Sequence, residues 1–574
     1  MKFAVKQITI ELFHNKIFIF LLLLLMGLTS LSFFFVRFSI DGNMAVLNSL
    51  DDLNKNQQLY KNALNSNASL AYLFFLASGG LTVFVILMFF YRFFRTNRTM
   101  IGCLKSLGFQ NDSLQWVFTL FITALSMLGT LTGMIGGYYL STVLIEANMQ
   151  TYSVSGLVKN VSPLTVFVGL GLSTLVFSAA AFFTYFFISG KETGTLLAGN
   201  YQAADSGTPY ISDKIANLIP GTNKFALRIS LRKPVAILLI LIAVMSFSIF
   251  AILGRSLNIS SQKVFDSQTI GHNYECDIHY PTARFNASNV QKSIPYLETA
   301  GTVAFDSHRV EQNVTALYTQ GSVFELQNSS GDPVVLPKNG EAVVGPGLIE
   351  TYGLQLGGTI TVTIGSADVR LCVRAAAANA KSGTIYINTE QMAQMMRLPE
   401  GSYTGELYSA MPDSLPEEAE VITRAQRIEN LNNSAASNKT SAVINQVTGI
   451  LVGSILLFLA LYLNFQDNTR DILILHKIGY QMKQIRKMLI DIYLPILWFT
   501  FMVTLLPSIF TARAIQRSLS ITTKDDMPFG TNLSVILLSF AVITIIYRCV
   551  LASFSFGIRR IIQKEDRTQS TITE

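Results

Sequence analysis

Eight long apolar runs constrain this chain more than any other feature of its sequence. Each is long enough to cross a lipid bilayer as a helix, which needs roughly 20 residues. Half of the 574 residues are hydrophobic and only 14% are charged, whereas a soluble globular protein carries about 25% charged residues. The sequence therefore predicts a polytopic α-helical membrane protein. The predicted spans are residues 17–36, 70–91, 114–145, 164–188, 235–253, 443–465, 488–510 and 533–556.

The charged residues indicate how the chain is oriented in the membrane. Residues 256–440 hold 12 basic and 19 acidic side chains, which leaves 31 basic and 17 acidic side chains elsewhere. The loops 92–113 and 466–487 and the linker 189–234 are net positive, and short cytoplasmic loops carry such an excess. We therefore expect a multi-pass protein of the cytoplasmic membrane with both termini cytoplasmic and 256–440 exoplasmic. This division of charge is a topology signal, and no nucleic-acid partner is expected.

Two segments of the chain resemble each other. They are "MIGCLKSLGF" (100–109) and "DILILHKIGY" (471–480), here called the Gly-ended segments, and each follows an apolar run. The segments that begin at Lys2 and Lys224 are also alike, since each is basic and amphipathic and runs directly into an apolar span. The sequence therefore indicates two four-span repeats. The repeat offset grows from 222 to 371 residues, which places an insertion between spans five and six. The paired positions are Leu104 and Leu475, Lys105 and His476, Leu107 and Ile478, Gly108 and Gly479, and Phe109 and Tyr480.

The insertion reads as a mixed α/β exoplasmic domain with stalk-like flanks. The stretches "DPVVLP", "TITVTIG", "DVRLCVRA" and "GTIYI" have strand character, and "TEQMAQMMRL" and "PEEAEVITRAQRIENLNN" have helical character. We expect 256–270 and 430–442 to extend the neighbouring spans outward. The predicted organisation is 1–190 (first repeat), 191–234 (cytoplasmic linker with an amphipathic lead-in helix), 235–255 (span five), 256–440 (exoplasmic domain), 441–557 (spans six to eight) and 558–574 (cytoplasmic tail).

The chain lacks recognisable catalytic motifs. The string nearest to a nucleotide-binding loop continues with Glu after Gly190-Lys191, where such a loop needs Ser or Thr. The spacing of His272, Cys276 and His279 fits no common metal site, so no metal is expected. Cys276 and Cys372 both lie in the insertion, and they either form a disulfide or remain two separate buried thiols.

Three glycines repeat every four residues in the third span, within "LGTLTGMIGG". They are Gly129, Gly133 and Gly137. This spacing lets two helix backbones approach closely in lipid. Ordinary packing within the chain is the favoured interpretation, and a gate or a dimer seam is the alternative.

The second Gly-ended segment carries a family resemblance. "TRDILILHKIGYQMKQIRKMLI" resembles the signature of FtsX/MacB-type ABC transporter permeases, in which Arg-Glu-Ile-x-x-Leu-Lys-x-Leu-Gly follows the second span. Here Asp replaces Glu and His replaces Lys, and the first copy departs from the pattern at Thr99-Met100. The matching positions are Arg470, Asp471, Ile472, Leu475, His476, Ile478 and Gly479, and in the first copy Ile101, Leu104, Lys105, Leu107 and Gly108.

The resemblance implies a non-enzymatic permease subunit of an ABC transporter. The matching residues would couple it to a separate ATPase, with two copies per chain, and ATP and Mg would bind to that partner. ATP-driven motion would pass along the stalk to the exoplasmic domain, which would export or extrude an amphiphilic peptide, antibiotic or lipid-like compound. The alternative is mechanotransmission that regulates a cell-wall hydrolase or sensor kinase without moving cargo. Membrane lipid and an exoplasmic accessory protein are further possible partners.

Overall fold

The eight predicted spans are all present as helices in the computed structural model. It describes residues 2–14, 16–50, 55–152, 154, 156–189, 234–285, 293–306, 308–381, 383–412, 419–489, 491, 493–523 and 527–573. The linker predicted at 191–234 lies outside the described residues, except for Pro234. Among the described residues, eight helices are long and apolar enough to cross a membrane, which confirms the predicted number. As spans 1 to 8 they are Lys16–Asn48, Phe74–Phe94, Asn111–Tyr152, Pro163–Phe187, Ile237–Ser267, Ala442–Tyr462, Tyr493–Ile521 and Leu533–Phe556.

Most of these spans belong to longer helices. The first repeat consists of helices Lys2–His14, Lys16–Asn48, Lys55–Thr96, Arg98–Ser106, Asn111–Tyr152, Pro163–Val166 and Ser173–Ser189, with a π-helical turn at Phe167–Leu172. The second consists of helices Pro234–Ser267, Arg424–Lys477, Met482–Leu489, Tyr493–Thr523 and Leu533–Thr573. The last helix includes most of the tail predicted at 558–574.

Span 1 packs tightly against span 3 along the glycine repeat. A Cβ atom at Gly129 would lie 2.9 Å from the Met26 Cβ, and one at Gly137 would lie 2.7 Å from the Phe34 Cβ. A Cβ at Gly133 would collide with the Gly27 carbonyl oxygen. The structure thus places all three glycines where the two backbones are closest, within one chain. In the second repeat the close approach joins spans 5 and 6 instead, where a Cβ at Gly453 would lie 2.7 Å from the Phe247 Cβ.

In its described residues, the inserted domain is built on one sheet of nine strands. The strands are β1 Cys276–Arg284, β2 Ser293–Phe305, β3 His308–Leu317, β4 Glu341–Val344, β5 Thr359–Ile364, β6 Ala367–Ala376, β7 Ile385–Tyr386, β8 Tyr403–Tyr408 and β9 Glu420–Thr423. Helices Pro346–Glu350 and Thr389–Met396 accompany them. Of the four predicted strand stretches, "DPVVLP" is not a strand, since Pro333 forms only an isolated bridge with Gln327. Proline has no N–H for a strand ladder, and this stretch contains two prolines.

Part of the sheet closes into a barrel. The strand order is β3-β7-β4-β6-β5-β2-β8-β1-β9, and β2 also pairs with β3. The strands β3, β7, β4, β6, β5 and β2 therefore form a closed ring of six. Val303, Val362 and Val373 lie in its buried apolar core. The strands β8, β1 and β9 extend from the first half of β2 towards the bundle.

The two cysteines of the inserted domain are not bonded to each other. Cys276 lies on β1 and Cys372 on β6, and both are free thiols. Three strands separate β1 from β6 in the sheet. At about 4.8 Å per strand step, the two Cα atoms are much farther apart than the roughly 7 Å that a disulfide tolerates. The disulfide considered from the sequence is therefore wrong. The alternative, two separate buried thiols, holds for Cys276 but not for Cys372, which is exposed.

Gly133→Ala should destabilise the bundle, because its methyl group would enter the contact between spans 1 and 3. We expect a loss of about 1–3 kcal/mol, as for overpacked cores, and therefore a lower melting temperature of the detergent-purified protein. Gly80→Ala is the matched control, because a Cβ at Gly80 meets no atom within 4 Å. Equal melting temperatures for the two variants would contradict the assigned packing.

Candidate coupling site

The first Gly-ended segment is the end of a short helix, Arg98–Ser106, followed by a tight turn. Gly108 has a φ of +87°, a backbone conformation in which a Cβ is unfavourable. Its N–H donates to the Lys105 carbonyl at 3.0 Å, and the Phe109 N–H donates to the Leu104 carbonyl at 3.2 Å. These two bonds form a Schellman cap, which satisfies carbonyls that the helix end leaves free.

The second Gly-ended segment forms the same cap at the end of helix Arg424–Lys477. Gly479 has a φ of +95°. Its N–H donates to the His476 carbonyl at 2.9 Å, and the Tyr480 N–H donates to the Leu475 carbonyl at 3.0 Å. The repeated Leu, Lys or His, Gly and aromatic positions therefore have a local structural role, because together they stop a helix in one defined way.

Burial divides both segments in the same manner. Ile101 and Ile472 are 0% and 1% exposed, so they anchor the segments on the bundle. Leu107 and Ile478 occupy the same position in each cap, one residue before the glycine, and each is 67% exposed. Both caps thus present a large apolar side chain outward.

The surroundings of the two segments differ. The helix before the first segment breaks at Asn97, whereas the second segment continues span 6 without a break. After the second cap comes helix Met482–Leu489, whose Ile485 is buried. After the first cap span 3 begins directly at Asn111, whose Oδ1 accepts a hydrogen bond from Tyr185 at 3.1 Å. The two Gly-ended segments are therefore similar at the caps and different around them.

The polar positions of the predicted site are only partly described. The side chains of Arg470 and Asp471 lie outside the described residues, although the backbone there is helical. Lys105 is partly buried, and this burial lowers the pKa of its ammonium group. His476 lies partly exposed in the last turn of its helix. The acidic position of the family signature consequently has no described geometry.

One helix connects the inserted domain with the second Gly-ended segment. Helix Arg424–Lys477 has 54 residues, so it is about 80 Å long at 1.5 Å per residue. It begins with a capping box, in which Thr423 Oγ1 accepts from the Gln426 N–H and the Gln426 side chain accepts from the Thr423 N–H. The residue that caps this helix is also the last residue of β9. The inserted domain and the second cap are therefore linked by one continuous helix.

Arg427 joins the start of this helix to the inserted domain. Its guanidinium carbon lies 3.8 Å from the centroid of the Tyr274 ring, and its Nη2 donates to the His272 carbonyl at 3.1 Å. His272 is itself buried, and this burial lowers its pKa to about 4. Its neutral ring places Nε2 2.7 Å from the Asn379 carbonyl, and Asn379 accepts a hydrogen bond from the Gln327 N–H. These contacts form a continuous link from the helix into the domain.

Sequence reasoning missed this link and one buried ion pair. The spacing of His272 from Cys276 and His279 bears only on metal binding, and no local pattern marks its burial. Arg37 and Asp41 form an ion pair at 2.7 Å within the helix of span 1, with side chains 13% and 4% exposed. Their i, i+4 spacing is a visible signal, but both residues lie beyond the apolar run predicted to end at residue 36.

The comparison with protein families decides the identity of the two repeats. The family described as FtsX-like permease C-terminal matches residues 72–193 and, a second time, residues 447–562. The chain carries two FtsX-like permease domains. The first matched region holds spans 2 to 4 and the second holds most of span 6 with spans 7 and 8, each with one Gly-ended segment, so the duplication inferred from the sequence is confirmed. Spans 1 and 5 and the inserted domain lie outside the matched regions.

Membership of the FtsX-like permeases supports the role of an ABC transporter permease subunit. Proteins of this family generally work with an ABC ATPase. Comparison with curated proteins finds no significant match. Within the described residues, no group of three or more His, Cys, Asp or Glu side chains is arranged to hold a metal ion.

Replacing the cap glycines by alanine should loosen both caps. A residue with a Cβ is disfavoured at these φ values by about 1 kcal/mol or more, and no neighbouring atom lies within 4 Å of the position of the added Cβ. We expect faster amide hydrogen exchange at 104–109 in Gly108→Ala and at 475–480 in Gly479→Ala. Gln110→Ala, next to the first cap, is the control. Unchanged exchange in both glycine variants would contradict the cap geometry.

Removing Arg427 should weaken the joint between the helix and the inserted domain. Arg427→Ala deletes a ring contact and a hydrogen bond of a partly buried cation, for which we expect a loss of about 1–3 kcal/mol. Arg424→Ala is the control, since Arg424 and Glu275 form an exposed pair at 3.3 Å, and such pairs contribute less than about 1 kcal/mol. Limited proteolysis of the full-length protein measures the difference. Equal cleavage rates for the two variants would show that Arg427 does not hold the joint.

Proposed function

We propose that this permease is the membrane subunit of an ABC exporter or extruder that docks two copies of a separate ATPase, one at each Gly-ended segment. The observation that carries the proposal is the pair of matched caps, each with one exposed apolar side chain, Leu107 or Ile478. An exposed apolar residue on a rigid turn suits a central contact in an interface. Because ABC ATPases act as pairs, a duplicated chain offers one contact to each. ATP and Mg would bind to that partner.

The proposed orientation follows from the charges of the loops. Both Gly-ended segments lie in net-positive loops, 92–113 and 466–487, and this charge supports a cytoplasmic location for both segments and both termini. The inserted domain then lies on the exoplasmic side of the cell membrane. Cysteines introduced near residue 300 would react with impermeant reagents from outside, and those near 105 and 477 would not.

The proposed mechanism transmits force along the bundle. Its core is packed with aromatic side chains, and Phe18 stacks on Phe89 with ring centroids 4.0 Å apart. Such packing favours movement of whole helices over passage of a solute between them. ATP-driven closure at the caps would thus reach the inserted domain through helix Arg424–Lys477, and the domain would act on an amphiphilic peptide, antibiotic or lipid-like compound.

The same helix also suits a second function, mechanotransmission without cargo. A rod that links the cytoplasmic caps to an exoplasmic domain could regulate a cell-wall hydrolase or sensor kinase directly. Export predicts that cells with the intact protein resist an amphiphilic compound. Mechanotransmission predicts that a hydrolase, kinase or accessory protein copurifies through the inserted domain.

A negative charge introduced at both caps should abolish docking of the ATPase. The full chain, purified by affinity in mild detergent, should retain an ABC ATPase at two copies per chain, as measured by mass spectrometry. Leu107→Asp and Ile478→Asp should each weaken retention about tenfold, as expected for loss of 1.4 kcal/mol at an interface contact. The double variant should retain none.

The control for this experiment is Val335→Asp. Val335 is 62% exposed on the inserted domain, so it tests the effect of an added charge at the opposite end of the molecule. Normal ATPase retention by the double cap variant, or no ATPase with the unmodified chain, would refute the docking proposal.

A further inference from the structure

A cavity of about 400 Å³ lies where the inserted domain meets the bundle. Its walls come from three parts of the chain: Lys263 near the end of helix Pro234–Ser267, Thr351 after helix Pro346–Glu350, and Arg513 and Arg517 from helix Tyr493–Thr523. The loop 527–532, which precedes span 8, completes it. An occupant would therefore contact the domain and the spans together.

The cavity is positively charged. Three cations line it, Lys263, Arg513 and Arg517, together with the carboxylate of Glu350. Within the described parts of the chain, the cations form no ion pair: Lys263 Nζ donates to the Phe529 carbonyl at 3.3 Å, and Arg517 Nε to the Thr351 carbonyl at 2.6 Å. The intervening residues 524–526, Lys-Asp-Asp, lie outside the described residues, and their net charge of −1 does not cancel the excess of two positive charges.

The position of the cavity along the helices places it at the level of lipid headgroups. Helix Tyr493–Thr523 has 31 residues, or about 46 Å, and so exceeds a hydrocarbon core of about 30 Å by roughly ten residues. Arg513 and Arg517 lie in that excess. Span 8 begins at Leu533, immediately after the loop of the cavity wall.

Two polar groups at the cavity are available to a ligand. The Arg513 side chain is exposed and makes no hydrogen bond to any described residue. The Thr531 Oγ1 is buried and lacks a hydrogen-bond partner among the described residues. A phosphate group accepts hydrogen bonds from guanidinium and hydroxyl donors alike, and Arg binds it in a bidentate manner.

We propose that this cavity binds the phosphate group of an anionic membrane lipid. The positive charge of the cavity favours an anion, and the exposed arginines favour phosphate among the anions. The level of the cavity in the membrane favours a lipid headgroup as the source of that phosphate. The bound headgroup would bridge Arg513 of the bundle and the segment after helix Pro346–Glu350. It would thereby stabilise the inserted domain against the end of span 7.

The test is a titration of the purified full chain with short-chain phosphatidylglycerol, followed by native mass spectrometry. Phosphatidylcholine serves as the zwitterionic comparison. Arg513→Gln should weaken phosphatidylglycerol binding about tenfold, since it removes a charge-assisted bond without breaking a described contact. Arg513→Lys should bind more tightly than Arg513→Gln but more weakly than the unmodified chain, because it keeps the charge and loses the bidentate geometry. Lys263→Gln is a second neutralising variant with the same expected direction.

The matched control is Lys159→Gln, which removes a cation from the loop between spans 3 and 4, outside the cavity. Equal binding of the two lipids, or unchanged binding by Arg513→Gln and Lys263→Gln, would overturn the proposal. Displacement by inorganic phosphate at the lipid's own concentration would overturn the lipid source and assign the site to free phosphate. The measurement needs no ATPase, so its outcome is independent of the proposed docking.

Discussion

The backbone hydrogen-bond ladder of helix Arg424–Lys477 is the interaction on which the rest of this structure depends. In a bilayer each backbone N–H and C=O must be satisfied inside the protein, so a helix that crosses it is stiff along its axis. Here the same ladder continues beyond the bilayer at both ends, to β9 on one side and to the Gly479 cap on the other. The inserted domain and the second cap are thus two ends of one element.

The two repeats use close helix packing in different places. In the first, the glycines of span 3 bring it against span 1, and in the second Gly449 and Gly453 bring span 6 against span 5. The close contact in the second repeat therefore involves helix Arg424–Lys477 itself. It packs this helix against helix Pro234–Ser267, which is the other stalk of the inserted domain. This asymmetry agrees with the presence of a large domain in only one repeat.

Local patterns predicted the elements, and non-local contacts decided the rest. Apolar runs gave all eight spans but ended several too early, at 36 instead of Asn48 and at 510 instead of Thr523, because a helix continues after its hydrophobicity ends. The Gly108 and Gly479 turns could be recognised as a repeat, since five adjacent residues determine a cap. The barrel closure through β2 and β3, the distance between Cys276 and Cys372, and the burial of His272 depend on strand order, which no window of sequence contains.

The attachment of the inserted domain has a mechanical consequence. Its two covalent connections to the bundle enter as β1 and β9, which are neighbouring antiparallel strands, with Cys276 opposite Thr423 and His279 opposite Glu420. If one stalk slid along the other, this ladder would have to slip by two residues, or about 7 Å, before its hydrogen bonds and side-chain faces matched again. A smaller displacement of one strand along the other would break the hydrogen bonds without forming a new paired register. The paired strands β1 and β9 thus hold the tips of the two stalks in one register, which resists sliding of one stalk along the other and leaves tilt or rotation of the pair as the movements that keep the ladder intact.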